Sequence, residues 1–155
     1  MNIGIKFQIP NKWDKLIESI LNGIELKKYI WKINEDDVYI KDTMKNNGFL
    51  FPQEKNIFNG EEFIKIISQR SYYTVFINIE AYLSENDFHN IKTYNDFITS
   101  NCEIIILTSD NIFVNIYAKS EKIIQQIETN AMKNKYEQIE YITDENLKLL
   151  NLAEM

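Results

Sequence analysis

Ile104-Ile105-Ile106-Leu107 limits what this chain can become more than any other segment. Successive side chains of a strand point to opposite faces, so a run without a polar residue presents apolar groups to both. Glu103 to Thr108 is therefore read as a strand central in a sheet. The run is far too short for a membrane span, which needs about 20 apolar residues. The rest of the chain has to supply sheet neighbours and covering helices.

Tyr72 to Tyr82 is the longest strand signal. Tyr73, Val75, Ile77 and Ile79 share one face; Tyr72, Thr74, Phe76, Asn78 and Glu80 share the other, with Glu80 read as facing outward. Ser109-Asp110-Asn111 forms a turn into Ile112 to Tyr117, which makes a hairpin. Ile3, Ile5, Phe7 and Ile9 alternate with polar neighbours as a first strand, stopped by Pro10. Tyr29 to Ile33 reads as a second strand, which Asn34-Glu35-Asp36-Asp37 turns into Val38-Tyr39-Ile40. Gly48 to Pro52 is a short apolar piece, an edge strand or loop. Tyr136 to Ile142 returns as a last strand.

Helices fall between these. Asn11 with Asp14 has capping-box spacing ahead of an apolar stripe of Trp13, Leu16, Ile17, Ile20 and Leu21, which Gly23 ends. Asn59 with Glu62 starts a helix over Phe63 to Ile67, and Thr93 with Asp96 marks a weaker one. Ser120 caps the clearest helix, with Ile123, Ile124, Ile127 and Ala131 on one face. A short final helix is expected over Leu147, Leu149 and Leu150. The elements assemble as one α+β domain over residues 1–155. They give a single mixed, largely antiparallel sheet packed with three to four helices, with a strand–helix–strand unit at each end.

Charge narrows the partners. Seventeen basic and 23 acidic residues give a net charge of −6, and Arg70 is the only arginine. All the excess negative charge lies beyond Arg70. Nucleic-acid affinity comes largely from neutralised phosphates, so DNA or RNA binding is not expected. Cys102 is the single cysteine, which excludes an internal disulfide. The amino terminus lacks the basic-then-apolar pattern of a signal peptide, so the expectation is a cytoplasmic protein without membrane association.

Familiar chemistry is sparse. Four glycines form neither a G-x-G-x-x-G nor a P-loop pattern, and no G-x-S-x-G elbow is present. One histidine and one cysteine cannot assemble the usual zinc sites. No cofactor, metal or catalytic residue is expected. His89, near Asp87, is read as a solvated loop residue, and Cys102 as a small buried core residue. Glu80 with Glu103 is an example of a carboxylate pair that only separation and burial could qualify as a site.

What remains are surfaces. Glu35, Asp36 and Asp37 form one acidic cluster, in the expected turn. Glu137, Glu140, Asp144 and Glu145 form another around the last strand and its exit. These are the candidate binding residues toward a basic protein partner. Phe49, Leu50 and Phe51, beside glycine and proline, are the candidate apolar interface.

Three stretches carry a family likeness: Gly4-Ile5-Lys6-Phe7 through Ile9-Pro10-Asn11-Lys12, Tyr72-Tyr73-Thr74-Val75-Phe76, and Glu140-Tyr141-Ile142-Thr143-Asp144-Glu145-Asn146. Together, in order and spacing, the chain resembles the domain-of-unknown-function family 2691 of spore-forming, low-GC bacteria. After Asn146 the chain departs, reading Leu147-Lys148-Leu149-Leu150-Asn151-Leu152 where the family continues with a polar, arginine-containing stretch and a terminal tryptophan. The resemblance implies a shared fold and assigns no site.

The leading functional expectation is a non-enzymatic protein-binding module of the immunity or antitoxin type. Its acidic surface would be steered toward a basic partner. The alternative is a small-molecule-binding protein or enzyme using carboxylates and tyrosines in a sheet-edge pocket. A homodimer through Phe49–Phe51 or Leu147–Leu152 is compatible with either.

Overall fold

The computed structural model describes residues 2–143. Seven strands run in chain order as β1 (Asn2–Gln8), β2 (Ile30–Tyr39), β3 (Ile57–Asn59), β4 (Tyr73–Tyr82), β5 (Ile104–Ser109), β6 (Phe113–Ala118) and β7 (Glu137–Thr143). They form one sheet in the order β3-β2-β4-β5-β6-β1-β7. Every pairing is antiparallel. The central place read for Ile104–Leu107 is observed: β5 lies fourth of seven, and all four residues are at most 2% exposed.

Helices α1 (Leu16–Leu21), α2 (Gly60–Ser68) and α4 (Glu121–Lys133) bring their apolar stripes into one core cluster. On the sheet side this cluster takes Trp31, Ile77, Ile79, Ile104, Ile106, Val114 and Ile116. A second, smaller cluster lies on the other face. There Phe97 of α3 (Tyr94–Thr99), with Phe88, Ile91 and Tyr94, packs on Tyr82, Ile105, Leu107 and Tyr117. The strand–helix–strand units at the two ends exist, but neither places its two strands side by side. β1 and β2 are four places apart, and β6 and β7 flank β1.

Local signals explain most boundaries. Asn59 with Glu62 and Thr93 with Asp96 both form reciprocal capping boxes, and Ser120 caps α4. The β5–β6 turn places Asp110 and Asn111 at φ of 53° and 67°, both left-handed, and Ile112 N donates to Ser109 O at 3.2 Å ahead of the Ser109–Phe113 pair. Two expectations are corrected. Asn11 does not cap α1, which begins at Leu16 without a side-chain cap. The backbone of Asp14 instead pairs in both directions with Tyr72, at 3.0 and 2.8 Å, holding the segment extended. Asn34–Asp37 does not turn the chain either. β2 continues through it, and register irregularities between Ile33 and Glu35 and between Asp37 and Val38 absorb the polar run as bulges. The expected helix over Leu147–Leu150 lies outside the described residues.

The short helix α1 leans on its neighbours for its unpaired backbone groups. Asn130 of α4, 3% exposed, donates from Nδ2 to the carbonyls of Ile20 and Asn22, each at 2.8 Å. At the other end the Tyr72 hydroxyl accepts from Ile17 N at 3.1 Å and donates to Ile67 O of α2 at 2.9 Å. One buried phenol thus ties α1, α2 and the start of β4. Tyr72→Phe leaves these groups buried with fewer partners, and a loss of about 1–3 kcal/mol is expected by urea unfolding. An unchanged midpoint and slope would show that the hydroxyl contributes nothing.

Candidate functional site

The cover formed by residues 83–101 is narrower than the sheet beneath it. Its apolar residues close over Tyr82, Ile105, Leu107 and Tyr117, and no residue of β2 belongs to that cluster. A cleft of about 260 Å³ remains between its 89–92 segment and the strand pair β2–β4. Lys32, Asn34 and Glu35 come from β2, Phe76, Asn78 and Glu80 from β4, and His89, Asn90, Ile91 and Lys92 from the cover.

Glu80 lies at the bottom of this cleft, only 2% exposed. This corrects its reading as an outward strand residue. Its face of β4 is opposite Ile105 of β5, so the cover that buries Ile105 also reaches Glu80. Two neutral donors hold the carboxylate. The Tyr82 hydroxyl donates to Oε1 at 2.7 Å, and Asn34 Nδ2 donates to Oε2 at 2.7 Å. Asn34 Nδ2 also reaches Asn78 Oδ1 at 3.2 Å. The Tyr82 oxygen accepts the His89 backbone N–H at 3.3 Å, which anchors the cover to the floor of the cleft.

The cationic side of the ledger is open. Lys32 is the cross-strand neighbour of Glu80, yet its ammonium lies over the Phe88 ring, 5.6 Å from the centroid. Among the described residues the ion pairs are Lys6–Glu140 and Lys55–Glu62, neither involving Glu80. A carboxylate offers about four lone-pair directions, so two remain for a visitor. Burial, reinforced by the Glu80 hydrogen bond, pushes the Tyr82 hydroxyl far above its ordinary range and keeps it a donor.

The other sequence-read residues scatter. Glu35 lines the cleft, Asp36 is half-buried, and Asp37 accepts from the Tyr39 hydroxyl. Glu137 and Glu140 are exposed on β7, with Glu140 beside Lys6 Nζ at 3.8 Å. Five strand spacings separate β2 from β7, so Glu137 and Glu140 stand about 24 Å from Glu35, Asp36 and Asp37 at ~4.8 Å per strand. Asp144 and Glu145 lie outside the described residues. The apolar interface is corrected: Leu50 and Phe51 are 6% and 1% exposed and belong to the helix-side core, leaving Phe49 half-buried against Tyr39. Glu103 does not line the cleft, so the Glu80–Glu103 pair is not formed there. Asp87 accepts from Asn101 Nδ2 at 3.1 Å, and His89 is exposed at the cleft rim. Among the described residues no three His, Cys, Asp or Glu side chains are placed to hold a metal ion together, and no helix there is long and apolar enough to cross a membrane.

Comparison with known proteins finds a match to the family model described as "Protein of unknown function (DUF2691)" over residues 2–153. The match extends past Asn146, so the tail that departs in wording still falls inside the matched span. The chain is 32% identical over 146 residues to "Uncharacterized protein YncE" of Bacillus subtilis (strain 168), covering 94% of this chain and 95% of that one. No solved structure matches.

Two outcomes test the electrostatics around the cleft. Cys102 is fully buried, and burial first, then the nearby Glu80 charge, pushes its thiol up to about 12. Ellman's reagent at pH 8 is expected to label it only at the rate of unfolding, and rapid labelling of folded protein would contradict that burial. Asp36 has its carboxyl raised above the usual range, chiefly by burial and further by Asp37. Its Oδ2 is buried without a hydrogen-bond partner. A raised folded-state value means stability is lost as pH rises through it. Asp36→Asn is therefore expected to be more stable than the parent at pH 7, the gap closing as pH falls below about 4. A gap that stays constant across that range would assign the effect to something other than charge.

Proposed function

The chain belongs to the DUF2691 family of proteins of unknown function, and for this member we propose a binding protein for a small cationic molecule held in the Glu80 cleft. One observation carries the reading: a carboxylate 2% exposed at the floor of an accessible cleft, met by neutral donors alone among the described residues. Burying a charge without a counter-charge costs several kcal/mol. A bound cation would supply the missing charge.

The surrounding groups define the visitor's chemistry. An ammonium would take the two free lone-pair directions of Glu80; of the other charges lining the cleft, Glu35 adds to the attraction and Lys32 and Lys92 oppose it. The carboxamides of Asn78 and Asn90 offer both donors and acceptors to hydroxyl or amide groups beside it. Phe76 and Ile91 supply a short apolar wall. The volume of about 260 Å³ suits a molecule smaller than most drug-sized ligands. The protein-docking reading, with a basic partner, draws on less, because Glu35, Asp36 and Asp37 on β2 stand five strand spacings from Glu137 and Glu140 on β7.

Isothermal titration with ethanolamine and putrescine, and with ethylene glycol as the neutral counterpart, tests the reading. One of the amines is expected to bind, ethylene glycol is not, and Glu80→Gln should weaken the amine by about tenfold or more. Glutamine keeps the shape of the floor and removes only its charge. Equal amine affinity in Glu80→Gln, or no amine binding at millimolar concentration, would overturn it.

A further inference from the structure

A second cavity, of about 240 Å³, lies on the helix side of the sheet and has the opposite electrostatic character. Its lining brings together Lys45, Lys65 and Arg70, with no carboxylate among the lining residues. In a chain of net charge −6, three of the nine lining residues of this opening are cations. Among the described residues none of the three lies within ion-pair distance of a carboxylate. The floor is apolar: Ile40 and Leu50 are 5% and 6% exposed, and Ile66 is half-buried beside them.

Cations at the end of α2 complement the helix dipole in any case, and that accounts for Lys65 and Arg70. It does not account for Lys45, which arrives from a separate segment. That segment is shaped to bring it there. Asn46, Asn47 and Gly48 have φ of 51°, 56° and 89°, three successive residues in the left-handed region. Such a turn is costly for asparagine and is fastened on both sides, by Gly48 N to Lys45 O at 2.9 Å and by Ile40 N to Gly48 O at 2.8 Å. The turn brings Lys45 to the lining of the cavity that also holds Arg70, the only arginine of the chain.

We propose that this cavity is a binding site for a small organic anion with a compact apolar body. Its carboxylate or phosphate head sits among Arg70, Lys45 and Lys65. Its body rests on Ile40, Leu50 and Ile66. The planar guanidinium matches either head in a two-point contact, while the lysines add charge without fixing direction. The apolar floor separates this site from a general ion-exchange patch, because a bare inorganic anion leaves that floor unfilled. The site is independent of the Glu80 cleft and stands or falls without it.

Titration of ¹⁵N-labelled protein with benzoate and with phenyl phosphate tests this, benzyl alcohol and inorganic phosphate serving as the body alone and the head alone. At least one of the first two is expected to move the amide signals of Asn46, Ile66 and Gln69, and whichever binds tighter identifies the head group. Arg70→Gln should weaken that probe by about tenfold or more. Lys45→Gln, on the loop rim, gives a second reading should the first variant lose the folded spectrum. The proposal is overturned if neither probe moves those signals at millimolar concentration, or if inorganic phosphate binds as tightly as phenyl phosphate. It is overturned equally if both substitutions leave the affinity unchanged.

Discussion

The double burial of β5 is the constraint from which the rest of the architecture follows. Four aliphatic residues in succession leave no face for water, so material has to be packed on both sides of the sheet. On one side this is done by α1, α2 and α4, whose apolar stripes are broad and whose core includes the close stack of Trp31 on Phe63, 4.2 Å between ring centroids. On the other side the only described cover is the segment 83–101, with one short helix and a cluster built on Phe97. The asymmetry of the two layers is the origin of the candidate site. A helix layer spans the strands it covers, whereas a loop layer ends where its apolar residues run out.

Glu80 occupies that ending. Its strand neighbour Ile105 is under the cover, its opposite neighbour Lys32 is at the open edge, and the carboxylate is left where burial and access meet. The Tyr82 hydroxyl connects the two regimes, since it belongs to the buried cluster, donates to the carboxylate and accepts from the cover at His89. A ligand at Glu80 would therefore act on the same hydrogen-bond chain that fastens the cover. The cavity at Arg70 is built differently, from a helix end and a strained turn on the opposite layer, and shares no residue with the cleft.

Much of the fold was legible because its signals are local. Capping boxes at Asn59–Glu62 and Thr93–Asp96, the left-handed pair at Asp110–Asn111 and the alternation of β1 and β4 all act within a few residues. The misreadings share one cause. Asn11 and Asp14 have the spacing of a cap, but a distant strand end, Tyr72, takes the Asp14 backbone instead. Asn34–Asp37 has turn composition, but pairing along β4 keeps it extended and converts the excess into bulges. In both, tertiary hydrogen bonds outweighed a correct local propensity. Leu50 and Phe51 are a similar case: glycine and proline flank them, yet the aromatic cluster with Phe58 and Phe63 draws Phe51 inward.

The candidate site was the least legible part, although one clue was present. A β5 with two apolar faces requires its neighbours' second faces to be covered as well, and Glu80 stands on such a face. By itself the sequence missed β3 and broke β2 in two, but it determined the kind and place of most elements, the central place of β5 and the lack of any familiar cofactor or metal motif. These rest on side-chain periodicity and on residue types that no packing can alter. Strand order, the reach of the 83–101 cover, the meeting of Asn34, Glu80 and Tyr82, and that of Lys45 with Arg70 were decided only in three dimensions. Each depends on contacts between residues far apart in the chain, whose free energy no local pattern encodes.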